Sequence, residues 1–288
     1  MTTQPARGPI AGAIVAVFVL GALSVWLQAE RDRIPLETSN EETLYLTKRA
    51  TSGVVFTDRP LAADLYWIRA IQYFGSRARI VENGGLAPSY ELLYPLLDIT
   101  TTLDPRFNAA YRFGGIFLSE QPPRGPGRAD LAIELLQKGL RASPSKWEYW
   151  QDIGYVYYWN LHDYRKASEA FQRGADIPGA PWWMRSLAAT MLLRGGDRNT
   201  SRLLWQALYE TANNEYARNA ARTKLMQLQA IEEIEQLQAA FERGRLRRLP
   251  NDPAGKPYVI TDNRVGVAAD SPLYPLPIEP GTGIGPGR

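Results

Sequence analysis

The residue types that most often carry catalysis are scarce in this chain, and no catalytic motif contains them. His162 is the single histidine, so a Ser-His-Asp site would have to use it. The sequence contains neither a Gly-x-Ser-x-Gly elbow nor a Walker pattern. The absence of cysteine excludes thiolate nucleophiles, thiolate metal sites and disulfides. These observations predict a chain that is not an enzyme and that uses no metal and no cofactor.

The lack of catalytic motifs does not exclude glycoside hydrolysis, because the two carboxylates that act as acid and base in a glycosidase need no local motif. The acidic run at Glu232, Glu233 and Glu235 is better explained as the solvated face of a helix. The net charge of the chain is only +3, whereas a nucleic-acid-binding protein concentrates its cations on one face. The arginines within 243–248 lie near the end of a predicted helix, where cations complement the helix dipole. We therefore predict no nucleic-acid partner.

The elements that position these residues follow a repeating order of side-chain types. A proline is followed by a bulky residue, then by a pair that contains glycine, then by a second bulky residue, always at the same distances. The two clearest copies are Pro105, Tyr111, Gly114, Gly115 and Leu118, and Pro144, Trp150, Ile153, Gly154 and Tyr157. Small residues let two antiparallel helices approach closely, and proline ends a helix. The order therefore predicts an all-α chain of helical hairpins.

This spacing resembles the tetratricopeptide repeat (TPR), a helix-turn-helix unit of about 34 residues. Weaker copies extend the resemblance over residues 61–212, with Pro/Gly-rich turns at 121–127 and 195–197. The resemblance implies a TPR-like solenoid of about four hairpins that binds proteins and performs no reaction. The complete layout resembles the bacterial single-span, membrane-anchored TPR proteins of unassigned role.

In TPR proteins the concave groove is lined by fixed positions of the first helix in each hairpin. Carried onto this chain, these positions are Ile68, Gln72, Arg112, Ile116, Gln151, Tyr155, Tyr158, Trp183 and Ser186. Tyr155 and Tyr158 are the predicted anchors, because aromatic rings with polar tips bind extended or helical segments well. The alternative for these two tyrosines is packing against the next repeat. The set contains few Lys or Arg, so we predict no clamp for the terminal carboxylate of a peptide.

The amino-terminal region contains a run of 22 residues without charge between Arg7 and Glu30. A helix crosses a bilayer with ~20 apolar residues. The predicted segments are a cytoplasmic tail (1–8), a transmembrane anchor (9–29) and a linker (30–60). A cleaved signal peptide is the alternative, since Ala22-Leu23-Ser24 is an acceptable cleavage site. The cationic head favours an anchor in the inner (cytoplasmic) membrane with the hairpins on the periplasmic side.

The region after the repeats changes character twice. Residues 213–248 have apolar side chains at steps of three and four, which predicts one long helix that caps the solenoid. A coiled-coil dimer seam is the alternative for that helix. Residues 249–288 form a Pro/Gly-rich tail with a short hairpin predicted between 258–260 and 265–267. From Tyr274 onward the tail is predicted to be too rich in Pro and Gly to pack.

One segment of the tail indicates a cellular system. Residues 252–258, Asp-Pro-Ala-Gly-Lys-Pro-Tyr, resemble a carboxyl-terminal segment of type II secretion pseudopilins. The sequence as a whole predicts a membrane-anchored scaffold or adaptor of a bacterial envelope assembly, related to secretion or pili, that binds a partner protein in its groove. The alternative is a glycan- or cell-wall-binding accessory protein, which would use exposed Trp and Tyr beside carboxylates.

Overall fold

The computed structural model describes residues 19–27, 29, 58–86 and 88–278. The chain divides into two compact units, Met1–Tyr45 and Leu46–Arg288. In the first unit residues 19–27 are helical and expose apolar side chains. Within the described residues no helix has the length and apolar character needed to span a bilayer. Residues 9–18 and 28 of the predicted anchor, the predicted tail 1–8 and residues 30–57 of the predicted linker lie outside the described residues.

The second unit is mostly helical between residues 58 and 278, with one small two-stranded sheet. The helices are α1 (Arg59–Glu82), α2 (Leu93–Leu103), α3 (Asn108–Ser119), α4 (Ala129–Ala142), α5 (Trp147–Tyr155), α6 (Tyr164–Ala175), α7 (Trp183–Arg194), α8 (Arg198–Thr211) and α9 (Glu215–Glu242). A π-helical turn, Val156–Asn160, continues α5. The strands are β1 (Val259–Thr261) and β2 (Arg264–Gly266). The predictions of a mostly helical fold and of a short hairpin in the tail are confirmed.

Consecutive helices pack as pairs. Helix α1 packs on α2, α3 on α4, α5 on α6 and α7 on α8, while α9 packs on α8. Turns of three residues join the members of the last two pairs, so those helices run in opposite directions. Several helices begin at a side chain that accepts a hydrogen bond from a free backbone N–H of the first turn. These caps are Asp58 for α1, Asp163 for α6, Asp197 for α8 and Asn214 for α9.

Glycine permits the close approach of helices at the centre of the packing. A Cβ added to Gly154 of α5 would lie 2.6 Å from the ring of Phe171 on α6, and one added to Gly139 of α4 would lie 3.0 Å from the ring of Tyr111 on α3. Both rings are fully buried. Trp150, the bulky residue of the sequence repeat, is only half-buried, whereas its neighbour Tyr149 is fully buried. Tyr149 also meets Tyr111 edge-on, with ring centroids 5.4 Å apart, so it joins one helical pair to the next.

The sheet packs against the second half of α9. Strands β1 and β2 are antiparallel, with Ile260 paired to Val265. Val265 and Tyr258 pack with Ile234 of α9 in one buried cluster. The turn before β1 is held by Asp252, whose buried carboxylate accepts hydrogen bonds from backbone N–H groups. Helix α9 thus covers the last pair with one face and carries the hairpin on another.

The prediction that the tail does not pack from Tyr274 onward is wrong for residues 274–278. Ile278 is buried in the cluster formed by α7, α8 and α9. Gln227 of α9 donates hydrogen bonds to the carbonyls of Leu273 and Pro275 at 2.8 and 3.0 Å. Proline has no N–H to satisfy, so a Pro-rich segment can bury its carbonyls against one amide side chain. Residues 279–288 lie outside the described part of the chain.

We expect Gly154→Ala to lower the free energy of unfolding by about 1–3 kcal/mol, because the added methyl group must displace a fully buried ring. Urea unfolding of the full chain, followed by the helical circular dichroism signal, measures this change. The matched control is Gly75→Ala in α1, where an added Cβ meets nothing within 4 Å. It should raise the free energy of unfolding by about 0.5–1 kcal/mol, since alanine favours helix over glycine. Equal effects of the two substitutions would contradict the close approach.

Candidate binding groove on the first helices

The first helices of successive pairs, α1, α3, α5 and α7, are joined by side chains and are called here the first-helix layer. Trp67 of α1 stacks on Phe117 of α3, with ring centroids 6.1 Å apart. Arg112 of α3 pairs with Asp152 of α5. Helices α5 and α7 meet through tryptophan and tyrosine contacts that are described below. The exposed side chains of this layer make up the candidate binding face.

One end of this face is apolar. Ile68 of α1 and Ile116 of α3 expose 48% and 53% of their surface. Leu65 and Phe113 are exposed beside them, and the predicted residue Gln72 is exposed on the same helix as Ile68. We call Leu65, Ile68, Phe113 and Ile116 the apolar surface. Scattered apolar residues are ordinary on a protein surface, but a contiguous patch indicates an interaction site.

Arg112 of the predicted groove is already engaged by an ion pair. Its Nε and Nη2 donate to the two carboxylate oxygens of Asp152 at 2.6 and 3.1 Å. Burial raises the pKa of the Asp152 carboxyl above its usual value, and the hydrogen bond and charge of Arg112 oppose that rise. The hydrogen bond to Asp152 raises the pKa of Arg112. Arg112 therefore holds α3 against α5, and its charge is already paired.

The two predicted anchors on the third pair are half-buried and touch other rings. Tyr155 lies against Phe171 of α6 and against Trp159, with centroid distances of 5.4 and 5.2 Å. Tyr158 contacts Trp159 and Tyr164. The outermost ring is that of Trp159, which is 64% exposed. Tyr155, Tyr158 and Trp159 form what we call the aromatic ledge, and the sequence positions missed its most accessible member.

The π-helical turn explains why Trp159 lies outward. A π turn contains one residue more than an α turn, so it rotates the side chains that follow, and such turns are frequent at functional sites. Asn160, at its end, donates a hydrogen bond to the Ser119 carbonyl of α3 at 2.6 Å. This contact fixes the turn against the neighbouring pair. Trp159 therefore stacks on Tyr155 at an interplanar angle of 19° and keeps its other face accessible.

The remaining predicted residues lie on α5 and α7 and are half-buried. Trp183 meets Trp147 of α5 edge-on, with centroids 5.6 Å apart, and this contact joins the third pair to the fourth. Gln151 lies on α5, and Ser186 lies on α7, where its carbonyl accepts a hydrogen bond from the Thr190 hydroxyl at 2.8 Å. Trp183 thus contributes to packing within the first-helix layer.

The sequence positions did not include two cations, one at the end of α7 beside the aromatic ledge and one on α9. Arg194, the last residue of α7, lies over the ring of Tyr158 with its Cζ 5.4 Å from the centroid, and it donates a hydrogen bond to the Tyr158 hydroxyl. Lys224 of α9 donates to Gln227 at 2.9 Å. Burial lowers the pKa of Lys224, and the charge of Arg194 lowers it further. We call Arg194 and Lys224 the cationic end.

The residues first considered for catalysis are dispersed over the second unit. His162 is exposed in the turn between α5 and α6, at a φ of 51°. The three glutamates of the acidic run have partners of their own. These contacts are Glu232 with Arg202, Glu233 with the Tyr258 hydroxyl, and Glu235 with Arg198. In the part of the chain that the structure describes, no group of three or more His, Cys, Asp or Glu is placed to hold a metal ion.

The face thus combines an apolar surface, an aromatic ledge and a cationic end, which suit the binding of a partner by burial and ion pairing. Comparison of the chain with protein-family models and with curated proteins finds no match. The geometry of the face and the sequence pattern therefore carry the functional argument.

We expect Arg112→Gln to lower the free energy of unfolding by about 1–2 kcal/mol near neutral pH, because Asp152 loses its bidentate partner. The loss should shrink on acidification. Without Arg112 the remaining influences on Asp152, which are burial and the charge of Glu148, both raise the pKa of its carboxyl, so the group takes up a proton at a higher pH than in the wild type. The contribution of the pair is therefore present above the pKa of the variant and is lost as the pH falls through the wild-type value.

Urea unfolding at a series of pH values from about 7 down to about 3 measures this dependence. Arg128→Gln is the control, since Arg128 forms the same type of pair with Asp130 but both side chains are exposed. It should leave the unfolding midpoint unchanged at every pH. A pH-independent loss in the Arg112 variant would show that the ion pair does not hold α3 against α5.

Proposed function

We propose that the chain is a TPR-like scaffold or adaptor of a bacterial envelope assembly and that it binds a segment of a partner protein along the first-helix layer. The observation that carries this proposal is the apolar surface, where Ile68 and Ile116 expose about half of their area on neighbouring helices. Protein interfaces bury such side chains at their centre and surround them with aromatic and polar groups. The aromatic ledge supplies such groups on the next helix.

The helical pairs support the TPR-like part of the proposal. Four successive pairs, α1–α2 to α7–α8, cover residues 59–211, close to the 61–212 that the repeat predicts, and α9 follows as the expected capping helix. A stack of pairs in which each contacts its neighbours produces an extended face of first helices. Such a face can hold a long segment of a partner, because several pairs contribute side chains to it.

The cellular setting of the proposal rests on the sequence. The 22 uncharged residues between Arg7 and Glu30 favour an anchor at residues 9–29 in the inner membrane, with the pairs on the periplasmic side. The segment 252–258 points to a secretion or pilus system by its resemblance to pseudopilins. In the fold this segment forms the turn around the buried Asp252 carboxylate, so the resemblance concerns a structural turn.

A second function, glycan or cell-wall binding, is favoured by the exposed ring of Trp159. Sugar-binding sites place such rings beside carboxylates that accept hydrogen bonds from hydroxyl groups. The carboxylate of α5 nearest in sequence, Asp152, is occupied by Arg112, and the charged group in contact with the ledge is the cation Arg194. The adaptor function is therefore the better supported of the two.

We expect Ile68→Ser combined with Ile116→Ser to weaken partner binding at least about tenfold, because the centre of an interface carries most of its binding energy. A photoreactive amino acid at the exposed position Gln72 of the full chain, activated in cells, should give one discrete protein adduct, and the double variant should lose it. Both isoleucines are half-exposed, so the fold should tolerate serine.

The matched control is Leu203→Ser on α8, a second helix, where the leucine is 65% exposed. It removes an apolar side chain outside the proposed groove and should leave the adduct unchanged. If the double variant at Ile68 and Ile116 still forms the adduct, the proposal is wrong. Binding of isolated cell-wall glycan that is lost in Trp159→Ala, without any protein adduct, would support the second function.

A further inference from the structure

The cationic end of the groove has no carboxylate of its own within the described residues. Arg194 contacts the ring and hydroxyl of Tyr158, and Lys224 contacts the amide oxygen of Gln227. Among the described residues neither cation forms a salt bridge, whereas several carboxylates elsewhere on α5 and α9 are already paired. Those pairs include Asp152 with Arg112, Glu232 with Arg202, and Glu235 with Arg198.

The charge of Lys224 costs free energy in the unbound chain. Lys224 is partly buried, so it has lost part of its hydration, and the charge of Arg194 lowers its pKa further. A carboxylate that approaches both groups would offset the desolvation and the repulsion at once. The contact of Arg194 with Tyr158 fixes the guanidinium beside the aromatic ledge, so such a carboxylate would lie next to rings.

Charge complementarity and the layout of the face together define an occupant. The apolar surface belongs to α1 and α3, the ledge follows on α5, and the cations lie on α7 and α9. We infer that the partner segment is amphipathic, with apolar side chains against Ile68 and Ile116 and acidic side chains, Asp or Glu, at the end that meets Arg194 and Lys224. This inference rests on the proposed function, and it adds the chemistry and the direction of the bound segment.

A peptide selection on the purified full chain tests the inference. The probe is a library of random segments of about 16 residues, long enough to span several pairs of a solenoid, displayed with both ends fused so that no free carboxyl terminus is present. We expect enriched segments to carry apolar residues at one end and Asp or Glu at the other. Changing those acids to Gln in a synthetic, end-blocked peptide should weaken its binding about tenfold.

The discriminating variant is Arg194→Gln combined with Lys224→Gln. On this variant the acidic and the Gln peptides should bind within about twofold of each other, because the groups that distinguish them are gone. Lys224→Gln alone keeps the contact between Arg194 and Tyr158 and should give an intermediate ratio if the double variant unfolds. Arg141→Gln combined with Arg173→Gln removes the same charge from the second helices α4 and α6 and should keep the full tenfold preference.

The outcomes separate the inference from the proposed function. Enriched segments that are neutral or basic, an acid preference that persists in the Arg194/Lys224 variant, or a preference for a free carboxyl terminus over acidic side chains would each overturn the inference alone. Failure of any segment to bind the wild type better than the Ile68/Ile116 variant would overturn the proposed function, and the inference with it.

Discussion

The structure depends on the distance between paired helices, and in the two central pairs, α3–α4 and α5–α6, that distance is set where glycine meets an aromatic ring. The ring of Phe171 lies in the space that a side chain at position 154 would occupy, and the ring of Tyr111 does the same at Gly139. A close crossing buries one side of each first helix completely. The opposite side then has nothing from its own pair to cover it. The exposed face of the first-helix layer is thus a consequence of the packing that stabilises the pairs.

Some side chains of this face join neighbouring helices, and others remain exposed. Contacts such as Arg112 with Asp152 and Trp147 with Trp183 hold neighbouring first helices together. They use polar and aromatic groups that a ligand would otherwise contact. The residues left uncovered are apolar at one end, whereas the cations at the other end contact a tyrosine and an amide but no carboxylate among the described residues. The recognition properties of the face follow from what the packing leaves unused.

The sequence predicted the pairs well because the cause of their packing is local. Glycine, aromatic rings and proline at fixed distances are visible in the chain, and they predicted helical hairpins over residues 61–212 and a long helix after them, where the structure has α1 to α8 and α9. The accessible ring of Trp159 was missed because a π turn shifts the register, and no residue type announces such a turn. Arg194 and Lys224 were missed because the repeat positions used for the groove include neither the end of α7 nor any residue of α9. The packing of Ile278 was missed because a Pro/Gly-rich composition indicates only local flexibility. It does not show that the side-chain amide of Gln227, far away in the sequence, binds the tail.

The two ends of the face differ in what they can contribute to recognition. Burial of apolar area is non-directional, so the apolar surface alone would bind an apolar segment in either orientation. Ion pairing adds less to affinity than to specificity, since a misplaced charge is costly whereas a matched one roughly offsets its own desolvation. A segment bound backwards would place apolar side chains against Arg194 and Lys224 and leave its carboxylates over Ile68 and Ile116. Binding would then be less favourable at both ends. The cations therefore determine the direction of the partner segment, whereas the apolar surface supplies most of its affinity.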